Sequence, residues 1–210
     1  TIGTDLADPY GFTLTRHNGQ AYAFVTSKTG ALRQYALERS DSGGITGREV
    51  RRLALGSVSE GVVAAPQRGA VYVAEERVGI WRYGIEPASG NARERVAAVD
   101  DRRLFADVEG LALAPRTGWL IASSQGSDHF AVYALDDHRF VGAFRVIGNE
   151  EPEIDTVTHT DGIDLLEADG TGYPGGLFVT HDDSNDGGAG QNYKYVPWQA
   201  IGSGLTAGRD

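Results

Sequence analysis

Glu109-Gly110-Leu111-Ala112-Leu113 sets a polar residue and a glycine at the head of a short apolar run, and the chain repeats this phrase four times. Tyr10-Gly11-Phe12-Thr13-Leu14 and Glu60-Gly61-Val62-Val63-Ala64 precede it; Asp161-Gly162-Ile163-Asp164-Leu165 follows. The starts lie 50, 49 and 52 residues apart. Self-similarity at that period is the mark of stacked supersecondary units. Each unit continues alike, with a glycine turn, an apolar strand, a polar break, then a strand with an aromatic near its middle. The second unit reads as strands over Ala70–Ala74, Gly79–Ile85 and Arg93–Val99, the third as Trp119–Ser123, Phe130–Leu135 and Arg139–Ile147. Val, Ile, Tyr and Phe at period two between Gly, Asp and Asn are strand signals. No twelve-residue stretch keeps a helical period. The nearest candidate is Pro197–Ile201, good for one helical turn after its proline.

Strands in groups of about four, recurring every 45–50 residues, predict an all-β chain built as a β-propeller with about four blades visible. A sandwich has no reason to repeat its sequence. The glycine after each repeated polar residue suits a backbone that bends or approaches another closely.

Composition agrees. The 210 residues make one domain, residues 1–210, with enough chain for a sizeable core, and 29 glycines are about twice the usual share. There is no Cys, which excludes a disulfide framework, a zinc ribbon and thiol catalysis. There is no Met either, so Thr1 is expected to be a processed end or a cut inside a longer protein. No run of 18 apolar residues predicts a membrane span. The net charge of −10 argues against a nucleic-acid partner. Its distribution says more: residues 1–105 hold 14 Lys/Arg against 12 Asp/Glu, and residues 106–210 hold 5 against 17. Acid concentrated in a folded half repels itself, and counter-cations are the natural remedy.

Matching repeat positions of a propeller form rings around its axis. One ring is predicted to hold Tyr10, Glu60, Glu109 and Asp161, and a second Lys28, Glu76, Gln125 and Asp182. Glu75, Asp107 and Asp155 are expected around the first. Carboxylates converging on one channel mouth cannot all stay ionised unless something positive joins them. An all-oxygen donor set favours a hard cation, and a roomy, irregular one favours Ca²⁺ over Mg²⁺. The run His181-Asp182-Asp183-Ser184-Asn185-Asp186-Gly187-Gly188 packs further oxygens into a loop, either as calcium ligands or as an Asx-rich turn. It lacks EF-hand spacing. The histidines form no His-Glu-x-x-His, no Gly-x-Ser-x-Gly elbow occurs, and Gly187–Gly190 has no Lys-Ser/Thr behind it. His159 and His181 lie in the acidic region and read best as surface residues.

These motifs resemble the β-propeller phytases, alkaline calcium-dependent hydrolases of inositol hexakisphosphate. The matching stretches are Tyr10-Gly-Phe, Ser59-Glu-Gly, Val73-Ala-Glu-Glu with Ile80-Trp-Arg, and Ala106-Asp-Val-Glu-Gly. Ala122-Ser-Ser-Gln-Gly, Thr160-Asp-Gly-Ile-Asp, Gly176-Leu-Phe-Val and Gln191-Asn-Tyr-Lys-Tyr-Val-Pro-Trp follow in family order. The resemblance implies that Tyr10, Glu60, Glu76, Asp107, Glu109, Gln125 and Asp161 hold catalytic calcium ions or substrate, and that Lys28 binds phosphate. It implies that Asp155 and the loop around Asp182 hold a structural calcium. Thr29 and His159 stand where the family has acids. Family members have six blades, so this chain reads as the last four, with the N-terminal side missing and an N-terminal segment or second chain completing the propeller. Several Ca²⁺ ions, phytate as its calcium complex, no membrane partner, and a secreted, extracellular or periplasmic location are the corresponding expectations. The alternatives are a calcium-stabilised propeller acting only as a binding module, an inactive fragment, and a sugar- or lactone-acting calcium propeller.

Overall fold

A computed structural model describes residues 2–151, 153–168, 172–185 and 190–207. The chain falls into two compact units, one running to Ala98 and the other beginning at Val99. Each contains two antiparallel meanders in which strands adjacent in sequence are adjacent in the sheet. The fold is all-β and of propeller type, with four blades.

In the first unit, β1 (Pro9–His17), β2 (Gln20–Ser27), β3 (Ala31–Arg39) and β4 (Ile45–Ala54) form one blade. β5 (Val62–Ala65), β6 (Ala70–Glu75), β7 (Gly79–Gly84) and β8 (Arg93–Ala98) form the next. The β1–β2 turn is Asn18-Gly19, both at positive φ, the combination whose twist matches a two-residue hairpin. Every residue of β6 is buried, as expected of an inner strand covered on both faces. Phe24, Leu32, Leu53, Val71, Val73 and Tyr83 form the core of this unit.

The repeated glycine has a physical reason here. A Cβ on Gly11 would lie 1.7 Å from the Glu60 carbonyl oxygen, and the Gly11 amide donates to Thr26 Oγ1, which itself donates to that carbonyl. The two blades meet backbone to backbone where the ring residues sit.

In the second unit, β9 (Val108–Ala114), β10 (Trp119–Ser124), β11 (His129–Ala134) and β12 (Phe140–Phe144) make a four-stranded blade. β13 (Ile163–Leu166), β14 (Leu177–Asp182) and β15 (Asn192–Pro197) make a three-stranded one. The same junction recurs: the Gly110 amide donates to the Asp161 carbonyl at 2.9 Å, and a Cβ there would lie 2.5 Å from it. Phe130 stacks on Phe144 at 4.9 Å and meets Phe178 edge-on at 5.2 Å.

The expected helical turn is a ten-residue helix, α1 (Trp198–Ala207). Trp198, Ile201 and Leu205 recur at helical spacing and are buried in the Phe130–Phe178 core, so burial rather than propensity holds it together. The strand expected over Arg139–Ile147 is shorter, a bulge at Val132/Tyr133 shifting its register. Among the described residues no helix is long and apolar enough to cross a membrane.

Ser123, wholly buried on β10, donates to the Thr160 carbonyl at 2.7 Å and fixes the approach to Asp161. Ser123→Ala strands that carbonyl away from water, so unfolding free energy should fall by about 1–3 kcal/mol. Urea titration checks this as a lower midpoint at unchanged slope.

Candidate functional site

In the first unit, Tyr10 is the second residue of β1 and Lys28 follows β2. The Lys28 ammonium lies 4.5 Å from the centre of the Tyr10 ring, so the phenol face carries an exposed cation. Glu60 precedes Gly61 at the start of β5. Its Oε2 is withdrawn from solvent and accepts no hydrogen bond among the described residues. Half-buried Glu76 begins the turn after β6, its amide donating to the Val58 carbonyl.

Glu75 corrects the expectation placed on it. Strand alternation sends its side chain the other way from Glu76, where it accepts from Ser57 Oγ at 2.6 Å and Trp81 Nε1 at 2.8 Å, with Arg93 at 3.9 Å. It is a satisfied interior carboxylate.

In the second unit, Asp107 and Glu109 flank Val108 at the head of β9, where the pairing with β10 is irregular between Val108 and Leu111. Their carboxylate oxygens come within 4.8 Å of each other, and Glu109 is only 4% exposed. The Gln125 amide donates to the Asp107 carbonyl, and its side-chain amide donates to Asp161 Oδ1 at 2.5 Å. Three hydrogen bonds secure the segment carrying Asp161, two that it donates and one that it accepts. The Thr158 amide bonds Asp182, the His159 amide bonds Asp128 at 2.7 Å, and Ser123 holds the Thr160 carbonyl.

Asp182 does not follow Lys28, Glu76 and Gln125. It is fully buried and turned into its own blade, where its Oδ2 lies 2.9 Å from Lys194 Nζ. The residue beside Asp161 is instead His181, with Nδ1 3.6 Å from the carboxylate. His181 is 8% exposed and packs edge-on against Tyr193, so the surface reading fails for it. His159 is exposed, with φ of 44°.

Asp155 and Asp182 do come together, around an ammonium. Lys194 Nζ donates to Asp155 Oδ1, to Asn185 Oδ1 at 2.8 Å and to Asn192 Oδ1 at 3.0 Å, besides its pairing with Asp182. Burial draws the lysine pKa down, but hydrogen bonds to Asp155 and Asp182 outweigh it and leave the pKa above its ordinary value. Oxygens that the sequence offers to a structural calcium thus surround a cation belonging to the chain. Asp186, Gly187 and Gly188 of that loop lie outside the described residues. Sequence reasoning missed Lys194, although it is the only lysine after Lys28 and sits in the most acidic part of the chain.

A family profile described as Phytase matches residues 1–210. The 3-phytase of Bacillus subtilis (strain 168) is 39% identical over 214 residues, covering 97% of this chain and 56% of that protein. The chain therefore spans a little over half the length of this curated relative. Among solved structures, a chain in the crystal structure of the nidogen/laminin complex aligns with a TM-score of 0.57 at 16% identity. That match covers 86% of this chain and 57% of the other. At such identity the likeness is one of fold alone.

Proposed function

This chain belongs to the phytase family, and on that premise we propose that it supplies calcium-binding and phosphate-binding residues for hydrolysis of phytate phosphomonoesters. The observation that carries the reading is the Asp107–Glu109 pair, two carboxylates within 4.8 Å on one strand head, one of them buried. Such a pair is costly unless a cation joins it. Glu60 Oε2, buried without a hydrogen-bond donor among the described residues, is a second place that fits one.

The donors are all oxygen, which suits Ca²⁺. Glu60 and Glu76 in the first unit, and Asp107, Glu109 and Asp161 in the second, are the proposed ligands. When bound, calcium supplies charge neutralisation at phosphate and a water of lowered pKa. The protein's own groups do the rest. Tyr10 offers a hydroxyl and Lys28 an ammonium to phosphate oxygens. Gln125 spends its side-chain donor on Asp161 and so fixes where that carboxylate points. The charges also account for an acidic protein taking an acidic substrate, since each repels the other until calcium is shared between them.

Phytate as its calcium complex is the proposed partner, in a secreted, extracellular or periplasmic setting where loosely held calcium is supplied. A segment from the N-terminal side or from a second chain is proposed to complete the propeller. What supports it is that, among the described residues, the β13–β15 sheet has three strands where the other three sheets have four.

The test is phosphate release from phytate by the 210-residue chain with calcium, with EDTA, and with calcium restored. Release should vanish with EDTA and return with calcium. Full-speed release in EDTA would overturn calcium dependence. No release under any condition would favour the non-catalytic binding module.

A further inference from the structure

The turn that presents Gln125 is fastened by a pair of side chains that the chemistry above does not use. His129 opens β11, is 8% exposed, and lies across the turn from Ser124, its partner in the β10–β11 pairing. Its Nε2 is 3.2 Å from the Arg103 carbonyl, and its Nδ1 is 2.6 Å from Ser127 Oγ. A carbonyl can only accept, so Nε2 carries a hydrogen and donates it to Arg103, while Nδ1 is tied to the Ser127 hydroxyl, which also reaches the Ser124 carbonyl at 3.1 Å. The imidazole therefore bridges two pieces of chain, the segment leading to Asp107 and the turn carrying Gln125.

Three further contacts close the same seam. Ser124 Oγ accepts from the Phe105 amide at 2.8 Å and donates to its carbonyl at 3.0 Å. The Phe105 ring meets His129 edge-on at 5.5 Å. Gly126 lies so close to the Ala106 carbonyl that a Cβ would sit 1.9 Å from it. The charged groups around the ring are Arg103, Arg145, whose guanidinium donates to the Ser127 carbonyl, and Asp128, engaged with the His159 amide. None of them donates to Nδ1. Burial, reinforced by Arg145 and opposed by the Arg103 carbonyl, lowers the His129 pKa.

We infer that His129 is a positioning residue: its imidazole locks the Gln125 turn to the Arg103–Asp107 segment and so sets Gln125 and Asp161 against Asp107. The inference rests on the reading of Asp107 and Asp161 as calcium ligands, with Gln125 as the group holding Asp161.

The experiment follows the Gln125 side-chain amide by NMR, assigned through its loss in Gln125→Glu, in the full chain and in His129→Phe, His129→Gln and Ser127→Ala. His129→Phe keeps bulk and removes both bonds. Its Gln125 signal should move to the position of a solvated amide, and calcium affinity should weaken about tenfold, as when a group supporting a metal ligand is lost. His129→Gln, which can still reach the Arg103 carbonyl, should restore most of both. Ser127→Ala leaves the core untouched and should shift the Gln125 signal part of the way, which keeps the test decisive if the phenylalanine variant does not fold. An unmoved Gln125 signal in Ser127→Ala, and in His129→Phe where it folds, overturns the inference. If the wild type binds no calcium, the functional reading falls, while the amide signal still decides what His129 does.

Discussion

Glu109→Gln should lower phosphate release from phytate by about 10²–10³-fold in kcat, the scale for removing one preorganised charge-stabilising group. The substitution is nearly isosteric and keeps one oxygen, so the fold has little reason to change. What is lost is a formal charge 4% exposed to solvent, on a carboxylate whose oxygens approach those of Asp107 within 4.8 Å. Two such carboxylates repel in the absence of a cation, so the same variant should be no less stable than the wild type in EDTA. It should lose most of whatever stabilisation calcium gives the wild type. Steady-state kinetics and paired melting curves, with and without calcium, read both effects. A Glu109→Gln variant that hydrolyses phytate at wild-type speed would remove Glu109 from the machinery. One destabilised equally with and without calcium would make it an ordinary core residue.

The repeat legible at Glu109-Gly110 located much of this. A polar residue followed by glycine at near-constant spacing revealed the blades, because the glycine answers a backbone constraint: the carbonyls of Glu60 and Asp161 occupy the space a Cβ would need at Gly11 and Gly110. Asp107 and Glu109, two residues apart at the head of β9, bring their carboxylate oxygens within 4.8 Å. What the repeat could not resolve was orientation at strand ends. Glu75 and Glu76 are consecutive and both acidic, and the pairing with Ser57 and Trp81 that fixes Glu75 inside depends on tertiary contacts the repeat does not encode. Asp182 matches Lys28, Glu76 and Gln125 in register, yet β14 runs on through it and turns its side chain toward Lys194. Helix α1 was hidden by Gly202 and Gly204, which weaken a helical pattern whose buried Trp198, Ile201 and Leu205 are nonetheless spaced correctly. His129 gave no signal at all, since a lone histidine at a strand start carries no chemistry until its two neighbours are known.

Lys194→Met should be the most damaging single change in the second unit. The substitution keeps an unbranched stem and removes the ammonium that stands between Asp155 and Asp182, while Asn185 and Asn192 lose their shared donor. Asp182 is wholly buried, so it cannot recover water where it stands. Removing one partner of a buried ion pair costs about 3–5 kcal/mol. The wild-type lysine has a raised pKa, so the linkage runs one way: its contribution is complete below the ordinary lysine value and lost as pH rises through the folded one. The difference between Lys194→Met and wild type should therefore be flat across neutral pH and shrink in alkali. Trp119 and Trp198, edge to face at 6.1 Å in the adjoining core, report unfolding of this unit by fluorescence. The oxygens left behind are hard donors of the kind calcium takes. Added calcium should accordingly recover part of the lost stability in Lys194→Met, by more than it adds to a second variant, Lys194→Met with Asp155→Asn, in which the carboxylate pair is broken. If Lys194→Met unfolds at the wild-type urea midpoint, the ammonium is not what neutralises Asp182, and the ion expected from the sequence is the better account of that cage.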